Sequence, residues 1–188
     1  MKSLPLSLET RRLRLVQPTM DHFSAWCDFM ADEEAARHLG GPQDPSSAWR
    51  TLATMRGSWS LQGFGMYSVI EKASGEWVGR VGPWRPHDWP GTEVGWGVIR
   101  SRWGQGYAFE AAVASIDSAI THLGWTEIIH LIAPANHRSQ SLAKGLGAQN
   151  QGPCALPGPL RAYPVEKWRQ TADEWANRRS SLLRQQAP

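Results

Sequence analysis

The sequence predicts an α/β protein with antiparallel strands in its N-terminal half, a central parallel pair, and helices on both faces of the mixed sheet. Three observations point there. Met66 to Glu71, Glu76 to Val81 and Thr92 to Ile99 read as successive strands, the first two joined by a turn at Ser74-Gly75. Glu93 to Leu123 begins as an apolar strand, crosses a loop holding Gly104 and Gly106, and turns into a periodic helix. Glu127 to Ala133 (EIIHLIA) then supplies a further strand, so strand, helix and strand form a βαβ unit whose strands run parallel.

The remaining elements follow in chain order. Arg12 to Val16 alternates polar and apolar residues, the pattern of a half-buried strand. Pro18-Thr19 ends it, and Thr19 is placed to cap a helix in which Phe23, Trp26, Cys27 and Met30 form one apolar stripe. Asp32 to Leu39 reads as a short helical turn closed by Gly40-Gly41. Asp44-Pro45 is a helix start, with Trp49, Leu52, Met55 and Trp59 as the buried face and Gly63-Phe64-Gly65 as the stop. Gly82 to Gly91 reads as a loop. After Gly106, the residues Phe109, Ala112, Val113, Ile116, Ile120 and Leu123 mark a strongly periodic helix that Gly124 ends. Arg138 to Leu146 is a short helix with Ser139, Leu142, Ala143 and Leu146 inward, and Gly152 to Pro159 is a loop. Arg161 to Trp168 reads as a last strand, which Pro164 assigns to an edge or a bulge. Thr171 and Glu174 have capping-box spacing and open a C-terminal helix, with Trp168, Trp175 and Leu182 recurring at seven-residue intervals.

Length and composition bound the function. A chain of 188 residues, 41% hydrophobic and 20% charged, suits one globular domain with a sizeable core. The net charge of +3 suits an anionic small-molecule ligand and gives no argument for nucleic acid. Eleven tryptophans imply thick packing and aromatic walls around a cleft. Cys27 and Cys154 are far apart and read as free thiols of a reducing compartment. With no leader-like apolar run and no stretch near the roughly 20 apolar residues of a membrane span, the expectation is a cytoplasmic, soluble protein. His87, His122, His130 and His137 lack metal-ligand spacing, so no metal is expected.

Two segments carry candidate chemistry. At Gly106, Tyr107 and Ala108 the loop becomes a helix, whose unpaired N–H groups and positive dipole end suit an anion. There is no GxGxxG and no Gly-Lys-Ser/Thr, which leaves a diphosphate held by backbone amides, with Arg100 or Arg102 nearby. A tight turn in which glycine supplies positive φ explains the loop equally well. The second segment, Asn136-His137-Arg138-Ser139, follows the strand Glu127 to Ala133, at the carboxyl end where open α/β sheets place ligands. Read alone, it is a helix cap with a first-turn serine.

Together these segments resemble the Gcn5-related N-acetyltransferase (GNAT) superfamily, in particular its Rim-type branch, which acetylates N-terminal amines of ribosomal proteins. The resemblance spans nearly the whole chain: Glu9-Thr10-Arg11-Arg12-Leu13-Arg14-Leu15, Glu93-Val94-Gly95-Trp96, Trp103-Gly104-Gln105-Gly106-Tyr107-Ala108-Phe109-Glu110-Ala111, and Asn136-x-x-Ser139 followed by Leu146-Gly147. Gly106 and Ala108 match the coenzyme motif Gln/Arg-x-x-Gly-x-Gly/Ala; Trp103 stands where Gln or Arg is usual. The resemblance implies a GNAT-like mixed sheet, a single acyl-CoA N-acyltransferase domain over residues 1–188, and acetyl-CoA as cofactor. It implies that backbone groups of Val98 and Ile99 pair with the pantetheine arm. Amides from Trp103, Gly104, Gln105, Gly106, Tyr107 and Ala108 would hold the pyrophosphate with Arg102 among the cofactor-binding residues beside them, Asn136 would bond the pantetheine amide region, and Ser139 would lie near the thioester sulfur.

The acetyl acceptor is then a primary amine, on a protein N-terminus or a small molecule. Glu93 matches the acidic position of the family and is the candidate base; as a strand residue it equally suits a salt bridge. Ser139 is the candidate acid, because Ala143 occupies the place of the tyrosine that many members use, and Ala148 replaces the usual phenylalanine after Leu-Gly. Trp84, His87 and Trp89 are candidates for the acceptor mouth, or for a loop that packs its own rings. The rival readings are a non-catalytic coenzyme A sensor and a tryptophan-rich interaction domain. Exposed tryptophan faces also suit a homodimer.

Overall fold

The computed structural model describes residues 2–185. Its eight strands form one sheet: β1 (Ser7–Glu9), β2 (Leu13–Val16), β3 (Tyr67–Glu71), β4 (Trp77–Trp84), β5 (Glu93–Val98), β6 (Glu127–Ile132), β7 (Gln149–Cys154) and β8 (Val165–Thr171). The spatial order is β1-β2-β3-β4-β5-β6-β8-β7, antiparallel throughout except for the parallel pair β5–β6. The helices are α1 (Phe23–Ala31), α2 (Glu33–Ala36), α3 (Pro45–Gln62), α4 (Tyr107–Ser118), α5 (His137–Leu146) and α6 (Ala172–Gln185).

The period-2 alternation of the strands divides the core between the two faces. On one face Val69, Val78, Val94 and Val98 pack against Ala111, Ala112 and Ile116 of α4, with Trp175 and Leu182 of α6 in the same cluster. On the other, Met66, Ile70 and Trp77 meet Trp26, Phe29 and Met30 of α1 and Leu52 and Met55 of α3. Helix ends follow their chemistry. Asp44 accepts from the Ser46 and Ser47 amides with Pro45 in the first turn of α3, and Thr171 and Glu174 exchange bonds of 2.7 and 3.1 Å at the start of α6. α4 widens into a π turn over Ala119–Leu123 before Gly124 closes it.

The structure corrects several expectations. β1 is an additional strand, at Ser7–Glu9, where Leu6 and Leu8 alternate with Ser7 and Glu9 over too few residues to stand out beside Arg12 to Val16. β4 runs on to Trp84, so Gly82, Pro83 and Trp84 are strand rather than loop; Pro83 stands opposite Val94, whose peptide groups face away from β4, and no ladder donor is lost there. The expected loop Gly152 to Pro159 begins with strand, as β7 reaches Cys154. β8 is interior, not an edge: Pro164 precedes its first residue, and β7 covers its outer side with a register shift between Asn150 and Pro153. Trp49 is half exposed, because Leu52, Met55 and Trp59 already fill the inward face of α3.

Glycines on β4 and β5 let the central strands pack without side chains. A Cβ on Gly79 would stand 2.4 Å from the Gly97 carbonyl oxygen and 2.9 Å from the Val98 Cα, backbone atoms that cannot step aside. Gly79→Ala should therefore destabilise the fold by about 3 kcal/mol, the upper end of the usual overpacking range. Urea unfolding followed by tryptophan fluorescence measures it, and a change under about 1 kcal/mol would contradict this packing.

Candidate active site

The site begins where the parallel pair comes apart. β5 and β6 share one register position, Glu93 with Ile129, secured by the Ile129 amide bonding to the Thr92 carbonyl at 3.0 Å. The next rung of a parallel ladder would join the Leu131 N–H to the Val94 carbonyl. Instead Leu131 donates to Glu93 Oε1 at 3.3 Å, and Val94 accepts from His130 Nδ1 at 2.7 Å. Two side chains thus take over the backbone bonds, and beyond them the strands diverge.

The pairing with β4 decides which groups face the gap. Ile99 donates to the Val78 carbonyl at 3.0 Å, which by alternation turns the peptide groups of Gly97, Gly95 and Glu93 toward β4 and those of Val94, Trp96 and Val98 toward β6. The Val98 carbonyl accepts from the Trp103 indole at 2.7 Å. The Trp96 peptide groups and the Val98 N–H therefore line the gap, whereas the Ile99 N–H is used within the sheet.

At the end of β5 the chain passes through a 3-10 turn (Arg100–Arg102) into the glycine loop. Gly106, at φ 79°, precedes α4 without a side-chain cap. The first backbone acceptor of the helix is the Gly106 carbonyl, bonded by Glu110 N–H at 3.0 Å, so the amides of Tyr107, Ala108 and Phe109 point out of the helix end. A Cβ on Gly104 would meet nothing within 4 Å, so the loop's outer side is open. Gln105 is tied down at both ends: its carbonyl accepts from Arg12 Nη1 at 2.8 Å and its side chain donates to Ser101 O at 2.9 Å. Arg102 turns away to Glu71 and Glu76, at 2.9 and 3.3 Å, and Arg100 pairs with Asp32 at 3.1 Å. What this loop offers an anion is backbone amide.

On the α1–α3 side of the gap lies a cavity of about 640 Å³, within the usual range for small-molecule sites. Glu93 lines it, buried, with Trp89 Nε1 donating to its Oε2 at 2.6 Å. Burial pushes the Glu93 carboxyl up to about 7, against the opposing pull of the Trp89 and Leu131 donors and the Arg80 charge. Trp84, opposite Glu93 on β4, and Trp89 line the same cavity; His87 does not, its side chain standing in solvent 3.3 Å from Asp88.

Asn136 and Ser139 reach the cavity from the far side of the gap. The Asn136 side-chain oxygen accepts from the Ser139 amide at 3.1 Å, fixing the first turn of α5. The Ser139 hydroxyl oxygen accepts from the Trp96 indole at 3.1 Å, which leaves its own proton to donate elsewhere. Trp96 also packs on His130, ring centres 4.7 Å apart. His130 is buried, its pKa lowered to about 4 by desolvation, and Nδ1 carries the proton because a carbonyl can only accept. Sequence reasoning left Trp96, His130 and Arg80 without roles. The available signal was one polar or aromatic residue interrupting each of three otherwise apolar or glycine-rich strands.

A family model described as an acetyltransferase (GNAT) domain matches residues 12–149. The chain belongs to the GNAT family. As a GNAT acetyltransferase it is 29% identical over 149 residues, 78% of its length and 84% of the relative's, to the uncharacterized N-acetyltransferase p20 of Bacillus licheniformis. The crystal structure of an acetyltransferase from Agrobacterium tumefaciens superposes with a TM-score of 0.77 at 29% identity, covering 90% of this chain and 96% of that one. A ribosomal-protein-S5-alanine acetyltransferase from Vibrio fischeri shares the fold, with a TM-score of 0.67 at 16% identity over 91% and 99% of the two chains. GNAT domains generally use acetyl-CoA. The residues here fit such a group in two respects: an uncapped helix terminus, and unpaired peptide groups on β5 beside it.

The glycine loop is anchored to the sheet through Glu71, which accepts from Tyr107, Ser74 and Arg102; these bonds hold its carboxyl down at about 2. Its folded pKa lies below the ordinary carboxylate value, so this stabilisation is complete above about pH 4.5 and disappears as pH falls toward about 2. The midpoint of thermal unfolding should drop over that window, and Glu71→Gln should flatten the drop while lowering the midpoint at pH 7. An unaltered pH profile in the variant would show that Glu71 does not anchor the loop.

Proposed function

We propose that this acetyltransferase moves the acetyl group of acetyl-CoA to a primary amine, on a protein N-terminus or a small molecule, by direct attack in a ternary complex. The observation that carries this reading is the split between β5 and β6, with the uncapped α4 terminus just past the end of β5 and the cavity holding Glu93 on the α1–α3 side. In this reading the amides from Gly104 through Ala108 hold the pyrophosphate, those of Arg102 and Trp103 being spent on the Ile99 and Arg100 carbonyls at 3.0 and 3.1 Å. The exposed peptide groups of Trp96 and Val98, rather than Ile99, hold the pantetheine arm, and the Asn136 amide nitrogen binds its polar portion. Acetyl-CoA supplies an activated thioester, whose C–S bond breaks as the new C–N bond forms.

Glu93 takes the proton from the incoming ammonium group. With its carboxyl at about 7, deprotonating an α-amino group of pKa ~8 costs only about 1 kcal/mol, against roughly 4–5 kcal/mol for a lysine-like amine near pKa ~10.4. The match favours α-amino acceptors. Ser139 offers its proton to the departing thiolate, which at pKa ~8.5 is only about 2 kcal/mol uphill at pH 7, so a weak donor suffices. Trp96 positions that hydroxyl from across the gap.

Glu93→Gln should lower kcat/KM by about 10²–10⁴ and abolish an ascending limb centred near pH 7 in the wild-type profile. Coenzyme A binding should persist. The folded pKa of Glu93 lies above its unfolded value, so the associated stability is complete below about pH 4.5 and lost as pH rises through about 7. At pH 8 the glutamine variant should therefore unfold no earlier than wild type; full activity in this variant would remove Glu93 as base. Ser139→Ala should reduce kcat by roughly tenfold, below the ~10²-fold usual minimum for acid catalysis because the thiolate is a good leaving group, measured as coenzyme A release. Unchanged turnover across pH would exclude Ser139 as acid.

A further inference from the structure

Arg80 is a charged residue in the middle of β4, buried to 9% exposure, on the face that α1 and α3 cover. It stands opposite Gly97, on the same sheet face as Glu93 and Gly95. Nothing of opposite charge lies within ion-pair distance of it among the described residues. Its Nη1 donates to the Met66 thioether at 2.9 Å and lies 4.0 Å from that of Met55, both weak acceptors, and its guanidinium sits 5.6 Å from the Trp26 ring. Nε has no partner among the described residues. Desolvation lowers its pKa to about 10 against the pull of the Glu93 carboxylate beyond ion-pair distance, so it remains a cation at neutral pH. A buried cation surrounded by thioethers and indole is an unfavourable arrangement for the fold alone, where an apolar residue of the same length would pack as well.

Arg80 lines the same cavity as Glu93. We infer that Arg80 receives a carboxylate of the acetyl acceptor, so that the substrate is a small amino acid-like molecule with an amine, a carboxylate and an apolar body. The inference rests on the amine-acetyltransferase reading and adds the substrate class. The charges are complementary: the acceptor's ammonium group goes to Glu93, its carboxylate to Arg80. Trp26, Met30, Met55 and Trp84 supply the apolar wall between cavity floor and helices. Gly95 and Gly82, opposite each other between the two charged residues, leave the floor free of their own side chains, with the Met66 methyl over Gly95. A plain amine would bring no counter-charge to the guanidinium.

The test compares acceptors that differ only in the carboxylate: phenylalanine against phenethylamine, and para-aminomethylbenzoate against benzylamine for a longer span. Wild type should favour the carboxylate member of at least one pair by about 30-fold or more in kcat/KM, the scale of a desolvated charge pair. In Arg80→Met that ratio should fall to within about threefold, and Arg80→Lys should retain part of it. Binding of N-acetylphenylalanine or its benzoate counterpart, measured by calorimetry on the wild type and on Arg80→Met, reads the carboxylate site without turnover. Equal rates within both pairs, or a ratio that survives Arg80→Met, would overturn the inference while leaving amine acetylation intact. Absence of acetylation with every amine would instead remove the functional reading, and the calorimetry would still decide the carboxylate site. A capped tripeptide beginning with glutamate separates an acidic protein N-terminus from a free amino acid; a preference for it over every small molecule would overturn the small-molecule assignment.

Discussion

The architecture of the site depends on one exchange of hydrogen bonds. Where a second rung should join β5 to β6, Glu93 accepts from Leu131 and His130 donates to Val94. Both backbone groups stay satisfied, and the unmet group at that point is a side-chain acceptor, His130 Nε2, rather than main chain. The opening is thereby made stable, and the side chain that makes it is also the candidate base. Glu93 is held from two sides, by the Leu131 amide of β6 and by Trp89 on the loop that leads into β5, so its position relative to a ligand in the gap is fixed by both.

The two sides of β5 serve different ends. Val94 and Val98 face α4 and belong to the larger core, where the uncapped helix terminus is fixed by packing and by the Glu71 anchor. Glu93, Gly95 and Gly97 face α1 and α3, where small residues leave volume for a cavity and where burial shifts the Glu93 carboxyl upward. Trp96 lies at the boundary, reaching across to Ser139. Arg138 makes a second crossing, its guanidinium 4.3 Å from the Trp103 ring centre. Strand and helix on either side of the gap are thus spaced by indole contacts rather than by main-chain bonds.

Much of the fold was legible because its elements carry strong local signals. The Asp44-Pro45 start of α3, the periodic face of α4, the Thr171–Glu174 box and the apolar strands on either side of the glycine loop all speak through short-range chemistry. The interior position of β8 was not legible, because it depends on β7, whose sequence QNQGPC looks like a loop and becomes a strand only through pairing. The site showed the same division. The glycine loop, Glu93, Asn136 and Ser139 carry motif spacing, whereas Arg80 and His130 acquire meaning only once burial and unmet bonding are known. The dispositions of Arg102, committed to Glu71, and of His87, out in solvent, likewise follow from tertiary neighbours that no local pattern encodes.

The outer strands of the sheet have a consequence for how copies of the chain can meet. β1 spans three residues, and β7 at the opposite margin combines Gly152, Pro153 and a register shift. Neither offers an unbroken row of main-chain donors and acceptors on which a second sheet could grow. Strand-to-strand extension between molecules is therefore blocked at both margins, and the protein can expose a long central opening in its sheet without presenting a template for aggregation.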